Sequence, residues 1–237
     1  MALAWIPNLL TLGNLTCGFV SLIFSGTNSP EGYITAALLI LLAGLLDGLD
    51  GQVARRLKVD SPIGKELDSL ADCVAFGVAP GYLAYKTYLT DISLVLSGRT
   101  IDVGILVAAV FPICAAYRLA RFNIRSSAGS FSGLPSPIAG ILVALAAICF
   151  PQGVVPAFVF AAIFLLVGFL MVSTVTYAKP QSFVFKNIHG LKLAGLVIVV
   201  LVLLFLFRFW IILLFITLYV LSGVVGYFIR IIEKHRY

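Results

Sequence analysis

Asp47-Gly48-Leu49-Asp50-Gly51-Gln52-Val53-Ala54-Arg55 is followed, eight residues later, by Gly64-Lys65-Glu66-Leu67-Asp68-Ser69-Leu70-Ala71-Asp72. Four aspartates stand here in two pairs, spaced by three and by four residues, in a chain of 237 residues that has only ten acidic side chains. The stretch is embedded in hydrocarbon: only 11% of the residues are charged, and the mean hydropathy is +1.11. An ionisable group deep in a bilayer costs about 2.5–3.5 kcal/mol on insertion scales. Four of one sign together call for a cation among them, and a metal ion is the natural one.

Outward from the motif the chain reads as membrane helices. Hydrophobic residues make up 61% of it, against about 45–50% in soluble domains. Apolar runs of about 18 residues or more, enough to cross a hydrocarbon core, recur along its length. The expectation is an all-α integral membrane protein with about eight transmembrane helices, near 8–26, 32–56, 62–89, 101–124, 136–150, 154–177, 190–207 and 209–233. The fifth is short, and only Arg208 and Phe209 divide the last two. No polar stretch is long enough to fold separately, so residues 1–237 read as one transmembrane domain, with a core of about 1–180 and two additional helices over about 190–233. The first span has no basic leader and no small-residue cleavage site, and reads as a retained helix. Ser61 before Pro62 is a helix start, a hydroxyl cap with proline in the first turn. Cys17, Cys73, Cys114 and Cys149 lie in apolar segments without metal-ligand spacing and read as packing residues.

Basic residues set the orientation. With both termini cytoplasmic, 13 of the 16 lysines and arginines fall on inner loops, leaving Lys86, Arg99 and Arg208 outside. That asymmetry follows the positive-inside rule for a cell-membrane protein with an even number of spans. The net charge of +6 then sets topology and attracts anionic lipid headgroups. The basic residues are split among short loops, which excludes a nucleic-acid partner.

This topology puts the aspartates at the cytoplasmic ends of the second and third helices. Asp47, Asp50, Gly51 and Ala54 share one helix face, and Gly64, Asp68 and Asp72 share another. The short Arg55–Ser61 connection makes the helices antiparallel neighbours, so that the two faces meet. Clustered carboxylates suit hard divalent ions such as Mg²⁺ or Mn²⁺, and two such ions about 3.5–4 Å apart would clamp a phosphoryl group. Small residues between the acids leave room for a ligand, while Arg55 and Lys65 would face phosphate oxygens. The plainer reading, acids paired with bases at a solvated helix end, serves for Asp60 and Glu66. It fits Asp47 badly, since Asp47 lies two turns inside Arg55 and Arg56.

The pattern D-x-x-D-G-x-x-A-R-x8-G-x-x-x-D-x-x-x-D resembles the signature of the CDP-alcohol phosphotransferases, membrane enzymes of phospholipid synthesis. All eight positions are present: Asp47, Asp50, Gly51, Ala54, Arg55, Gly64, Asp68 and Asp72. The resemblance implies a CDP-linked lipid whose diphosphate lies on two divalent ions held by Asp47, Asp50 and Asp68, with Asp72 as a further ligand. It implies that Asp72 is the catalytic base on the acceptor hydroxyl, and that Gly51, Ala54, Arg55 and Gly64 shape the nucleotide pocket. It also implies a homodimer.

Within the family, four further segments resemble the phosphatidylserine synthase branch: 6–19, Phe76-Gly77-Val78-Ala79-Pro80, 117–123 and Gly133-Leu134-Pro135-Ser136-Pro137. The reaction this implies joins CDP-diacylglycerol and L-serine to give phosphatidylserine and CMP by direct displacement. Arg118 and Arg121, one turn apart with Asn123 beyond, can receive a carboxylate, which serine has and glycerol phosphate lacks. They can equally be topology anchors reaching for headgroups. Asn8, Thr11 and Asn14 share one face of the first helix and either touch nucleotide and phosphate or bond a neighbouring helix. His189 and His235 lie far from the motif, and H-x-K-x-x-x-x-D is absent, which leaves a covalent phospholipase-D-like route without support. Two rivals stand beside this reading. One is a family member using glycerol 3-phosphate, an inositol phosphate or an archaeal CDP-ether lipid. The other is a divalent-metal transporter, which would spread its acids across the bilayer or between repeated halves.

Overall fold

A computed structural model of the chain describes residues 5–57, 59, 61–96, 99–125, 133–175, 177 and 209–234. Helix α1 spans Trp5–Ser25 and α2 Pro30–Leu57. A continuous helical run then covers residues 62–89: α3 (Pro62–Cys73), a π-helical segment (Val74–Val78), α4 (Ala79–Ala84) and a second π-helical segment (Tyr85–Leu89). After a short hairpin come α5 (Val103–Arg125), α6 (Ser136–Cys149), α7 (Ala157–Val172) and α8 (Phe209–Lys234). Among the described residues, α1, α2, α5 and α8 are each long and apolar enough to cross a membrane. Helices α6 and α7, at 14 and 16 residues, fall short of the roughly 20 that a straight crossing needs. The expected span at 190–207 lies outside the described residues. The chain is thus a helical membrane protein, and its exterior agrees: Phe158, Ile163, Leu166 and Phe169 of α7 are all more than half exposed.

Two local features differ from the sequence reading. Residues Ser93–Leu96 (β1) and Arg99–Asp102 (β2) pair as an antiparallel hairpin, so that the helix expected from 101 starts at Val103. The run over 62–89 is also no uniform α-helix. Pro80 sits in the first turn of α4 and has no N–H to give. The π-helical segment before it lets the Ala79 N–H reach back to the Val74 carbonyl, absorbing the register shift.

Tight backbone contacts position the motif. A Cβ on Gly18 of α1 would stand 2.8 Å from the Ala75 Cα, and one on Gly140 of α6 would stand 2.9 Å from the Phe76 Cα. Small residues allow this approach, a common device where helices pack in lipid. Ala36, Ala37, Ile40, Ala43, Ala75, Phe76 and Ala79 are buried in one core at this junction. A second core joins α5, α6 and α7 with Val220 of α8. Helix α1 packs against both α2 and α3, and so carries the geometry between the two acidic faces.

Candidate active site

Ser61 begins α3 as the sequence predicts. Its extended backbone (φ −129°, ψ 144°) ends the connection, and its hydroxyl accepts from the Gly64 N–H at 2.9 Å. This cap fixes where the helix starts and therefore which face Asp68 and Asp72 occupy. Carboxylate oxygens of Asp47, Asp50 and Asp68 lie within 4.8 Å of one another. The acidic faces of α2 and α3 meet as expected, with α1 bridging them. Thr11 of α1 donates to Asp50 Oδ2 at 2.8 Å, and Asn14, a turn further on, donates to Asp72 Oδ1 at 3.2 Å. Asn14 is fully buried, and Asp50 and Asp72 are only 5% and 7% exposed.

Three carboxylates this close repel one another unless positive charge lies between them. Asp68 Oδ1 is moreover buried with no hydrogen-bond partner, which in a carboxylate calls for explanation. Oxygen-only donors, mutual proximity and an orphaned oxygen fit a hard divalent cation. Asp47, Asp50 and Asp68 are the residues able to hold it. Asp72 stands apart from that trio, within electrostatic reach of Asp47, Asp68 and Asp50.

Beside the carboxylates opens a cavity of about 500 Å³. Its walls include Asn8, Thr11, Asp50, Gly51, Ala54, Arg55, Gly64, Lys65 and Asp68. Nine of the residues singled out from sequence thus line one space. A Cβ on Gly64 would stand 2.9 Å from Ser61 Oγ and 3.0 Å from Asn8 Oδ1, so glycine there keeps both the cap and the wall. An acidic floor beneath two cationic side chains is an arrangement suited to a metal-bound diphosphate.

The remaining residues lie elsewhere. Arg118 of α5 is buried, donates from Nη1 to Ser136 Oγ at 3.0 Å and keeps an unpartnered Nε. Arg121 donates to the carbonyls of Val172 (2.7 Å) and Ser173 (3.2 Å), closing the C-terminal end of α7. Asn123 donates to Ser69 Oγ at 3.0 Å and Glu66 Oε2 at 3.4 Å, tying α5 to α3. None of these three lines the cavity, and neither do Asn14, Asp47 and Asp72.

A family description, CDP-alcohol phosphatidyltransferase, matches residues 4–175. The chain belongs to that family. Curated relatives agree with this CDP-alcohol phosphatidyltransferase assignment. A Helicobacter pylori (strain ATCC 700392 / 26695) protein named CDP-diacylglycerol–serine O-phosphatidyltransferase is 34% identical over 236 residues, covering 96% of this chain and 92% of its own. A Bacillus subtilis (strain 168) protein of the same name is 34% identical over 195 residues, covering 78% of this chain and 97% of its own. An archaetidylserine synthase from Methanothermobacter thermautotrophicus is 35% identical over 181 residues, covering 75% of this chain and 71% of its own.

Sequence reasoning quoted Ser136 only within the Gly133–Pro137 segment and gave it no role of its own, and it did not single out Tyr177, whose hydroxyl is buried without a partner. Ser136 stands before Pro137 as Ser61 stands before Pro62, but it is the first residue of its helix and caps nothing. Nothing in the letters around Tyr177 distinguishes it from a packing aromatic.

Proposed function

We propose that this protein transfers a phosphatidyl group from a CDP-linked lipid to the hydroxyl of L-serine, releasing CMP. The observation that carries the reading is the convergence of Asp47, Asp50 and Asp68 beneath a cavity walled by Arg55 and Lys65. The names of the relatives supply the acceptor, and the name archaetidylserine synthase keeps both ester and ether lipids among the donors.

Asp72 takes the proton from the serine hydroxyl, Asn14 holding the carboxylate in place. The hydroxyl oxygen attacks the lipid-bearing phosphorus, a new P–O bond forms, and the bond to CMP breaks with the electron pair leaving on CMP. Arg55 and Lys65 bind the phosphate oxygens. Gly51, Ala54, Gly64 and Asn8 give the nucleotide room. Asp47, Asp50 and Asp68, with Asp72 as a further ligand, would hold a pair of divalent cations, Mg²⁺ or Mn²⁺, whose charge would neutralise the diphosphate. Positioning and electrostatics account for most of such catalysis. Arg118 attracts the acceptor carboxylate, whereas Arg121 and Asn123 hold the frame around it.

We place the site at the cytoplasmic face of the cell membrane, with both termini on that side. The distribution of lysine and arginine supports this, as does Lys86 near the far end of the helical run that opens with the motif. A homodimer completes the proposal, and its mass in detergent is measurable by light scattering.

The test is CMP release from CDP-diacylglycerol by purified protein in detergent. Serine, glycerol 3-phosphate, inositol phosphate or no acceptor is supplied, each with Mn²⁺, Mg²⁺ or chelator. Release that needs serine and metal and disappears in Asp72→Asn is the expected result. Release with another alcohol changes the acceptor and keeps the family. No release from folded, metal-binding protein overturns the reading in favour of transport.

A further inference from the structure

Buried polar groups are nearly always hydrogen-bonded, so each exception needs a reason. Among the described residues four side-chain atoms are exceptions: Asn14 Oδ1, Asp68 Oδ1, Arg118 Nε and the Tyr177 hydroxyl. The first two belong to the aspartate site. The other two are not explained by it.

Arg118 and Tyr177 are 8% and 6% exposed, and both are hydrogen-bond donors. Ser136 fixes the guanidinium of Arg118 at 3.0 Å. The same guanidinium lies within electrostatic reach of both Asp72 and Tyr219 of α8. The Tyr219 ring is centred 5.5 Å from that of Tyr177. Gly223, one turn along α8, is pressed on the Tyr177 ring so closely that a Cβ there would collide with it. The segment carrying Ser136 is pinned in turn, with Gly133 N–H on the Val175 carbonyl at 2.8 Å and Leu134 N–H on the Leu170 carbonyl at 2.9 Å. Two orphaned donors therefore sit in a braced frame on Tyr219, and one of them, Arg118, is also within electrostatic reach of Asp72.

We propose that Arg118 Nε and the Tyr177 hydroxyl receive the carboxylate of an amino-acid acceptor, with Ser136 orienting the arginine and α8 closing the subsite over Tyr177. The inference rests on the serine reading above and assigns the end of the acceptor remote from its hydroxyl. Two donors match the two oxygens of a carboxylate. A phosphate-bearing alcohol would bring a third oxygen and a second negative charge within reach of Asp72. Tyr177 and α8 also lie beyond the residues 4–175 that the family description matches, which suits a part of the site that serves the acceptor and not the shared CDP group. The nearby Arg121, given to the end of α7, is no part of this subsite.

The experiment compares serine with serinamide, which keeps the hydroxyl and ammonium but lacks the carboxylate. CMP release is measured for the unsubstituted protein, Tyr177→Phe and Arg118→Lys. Tyr177→Phe removes only the orphaned oxygen, so its thermal midpoint in detergent should not fall. Its KM for serine should rise about tenfold, the loss typical of one hydrogen bond to a charged group. Its activity on serinamide, whose amide carbonyl takes only the weaker neutral hydrogen bond, should fall less, so that the preference for serine narrows several-fold. Arg118→Lys keeps the charge but loses both Nε and the Nη1 bond to Ser136, and should narrow the preference in the same direction. Unaltered kinetics in Tyr177→Phe, or an equal loss on both acceptors, overturns the inference while leaving the serine reading intact. Failure of the unsubstituted protein to use serine overturns that reading, and this inference with it.

Discussion

Asn14 on the first helix donates its side-chain amide to Asp72, 58 residues further along the chain, at 3.2 Å. The pair joins α1 to the end of α3, one turn beyond the Thr11–Asp50 bond that joins α1 to α2. A helix that carries none of the aspartates therefore aims two of them. If Asp72 is the base, a wrongly turned carboxylate slows the proton transfer more than it weakens binding of the CDP-lipid. Asn14→Leu should lower kcat about 10–100-fold, equivalent to about 1.5–3 kcal/mol for a hydrogen bond to a charged group. Its KM for the CDP-lipid should stay within about twofold. A variant that changed only KM would remove Asp72 from the role of base.

Thr11 acts on the metal side of the same arrangement. Partners that orient a ligating carboxylate typically contribute 10–100-fold to metal affinity, as an order of magnitude. Thr11→Val keeps the shape and removes the donor at 2.8 Å from Asp50 Oδ2. The Mn²⁺ concentration for half-maximal CMP release should rise about tenfold or more, and Thr11→Ser should restore it. Equal metal requirements in all three proteins would leave Asp50 without a role as ligand.

The acidic faces were legible because helical spacing of three and four residues fixes which side chains share a face, whatever packs on them. The Ser61–Pro62 start was legible because a cap is local chemistry. Arg118 and Arg121 show where such reading stops. One turn apart and chemically identical, they are separated by what approaches them: Ser136 in one case, and in the other carbonyls 51 and 52 residues away at the end of α7. The π-helical segment after Asp72 leaves no compositional mark of its own, since it answers a missing proline N–H several residues later. The hairpin over 93–102 did have a signal, β-branched residues around Ser97-Gly98, but the apolar run into α5 masked it.

Two glycines of the motif region should respond oppositely to alanine. A Cβ on Gly48 meets nothing within 4 Å, and alanine there should stabilise α2 by about 0.5–1 kcal/mol with activity kept. On Gly64 the new carbon would press on Ser61 Oγ and Asn8 Oδ1 at about 3 Å, disturbing the cap and the cavity wall together. Gly64→Ala should raise KM for the CDP-lipid several-fold and lose up to about 1 kcal/mol of stability, the scale of a lost N-cap. Thermal unfolding and CMP release measured side by side on the two variants check both signs.

Arg121 provides the contrast that separates frame from site. Its guanidinium covers the last carbonyls of α7 at 2.7 and 3.2 Å, groups that a helix end otherwise leaves without partners. Replacing it with glutamine removes the charge and shortens the reach, so the end of α7 and the Gly133–Ser136 segment packed on it should loosen. About 1.5 kcal/mol of stability is at stake, the lower end for hydrogen bonds to a charged group, because Arg121 is only half-buried. The expected result for Arg121→Gln is a lower thermal midpoint in detergent with an unchanged preference for serine over serinamide. Arg118→Lys, whatever the lost bond to Ser136 costs in midpoint, should narrow the preference that Arg121→Gln leaves alone. If Arg121→Gln narrowed the preference as much as Arg118→Lys does, both arginines would have to reach the acceptor, and the division between α5 residues argued above would be wrong.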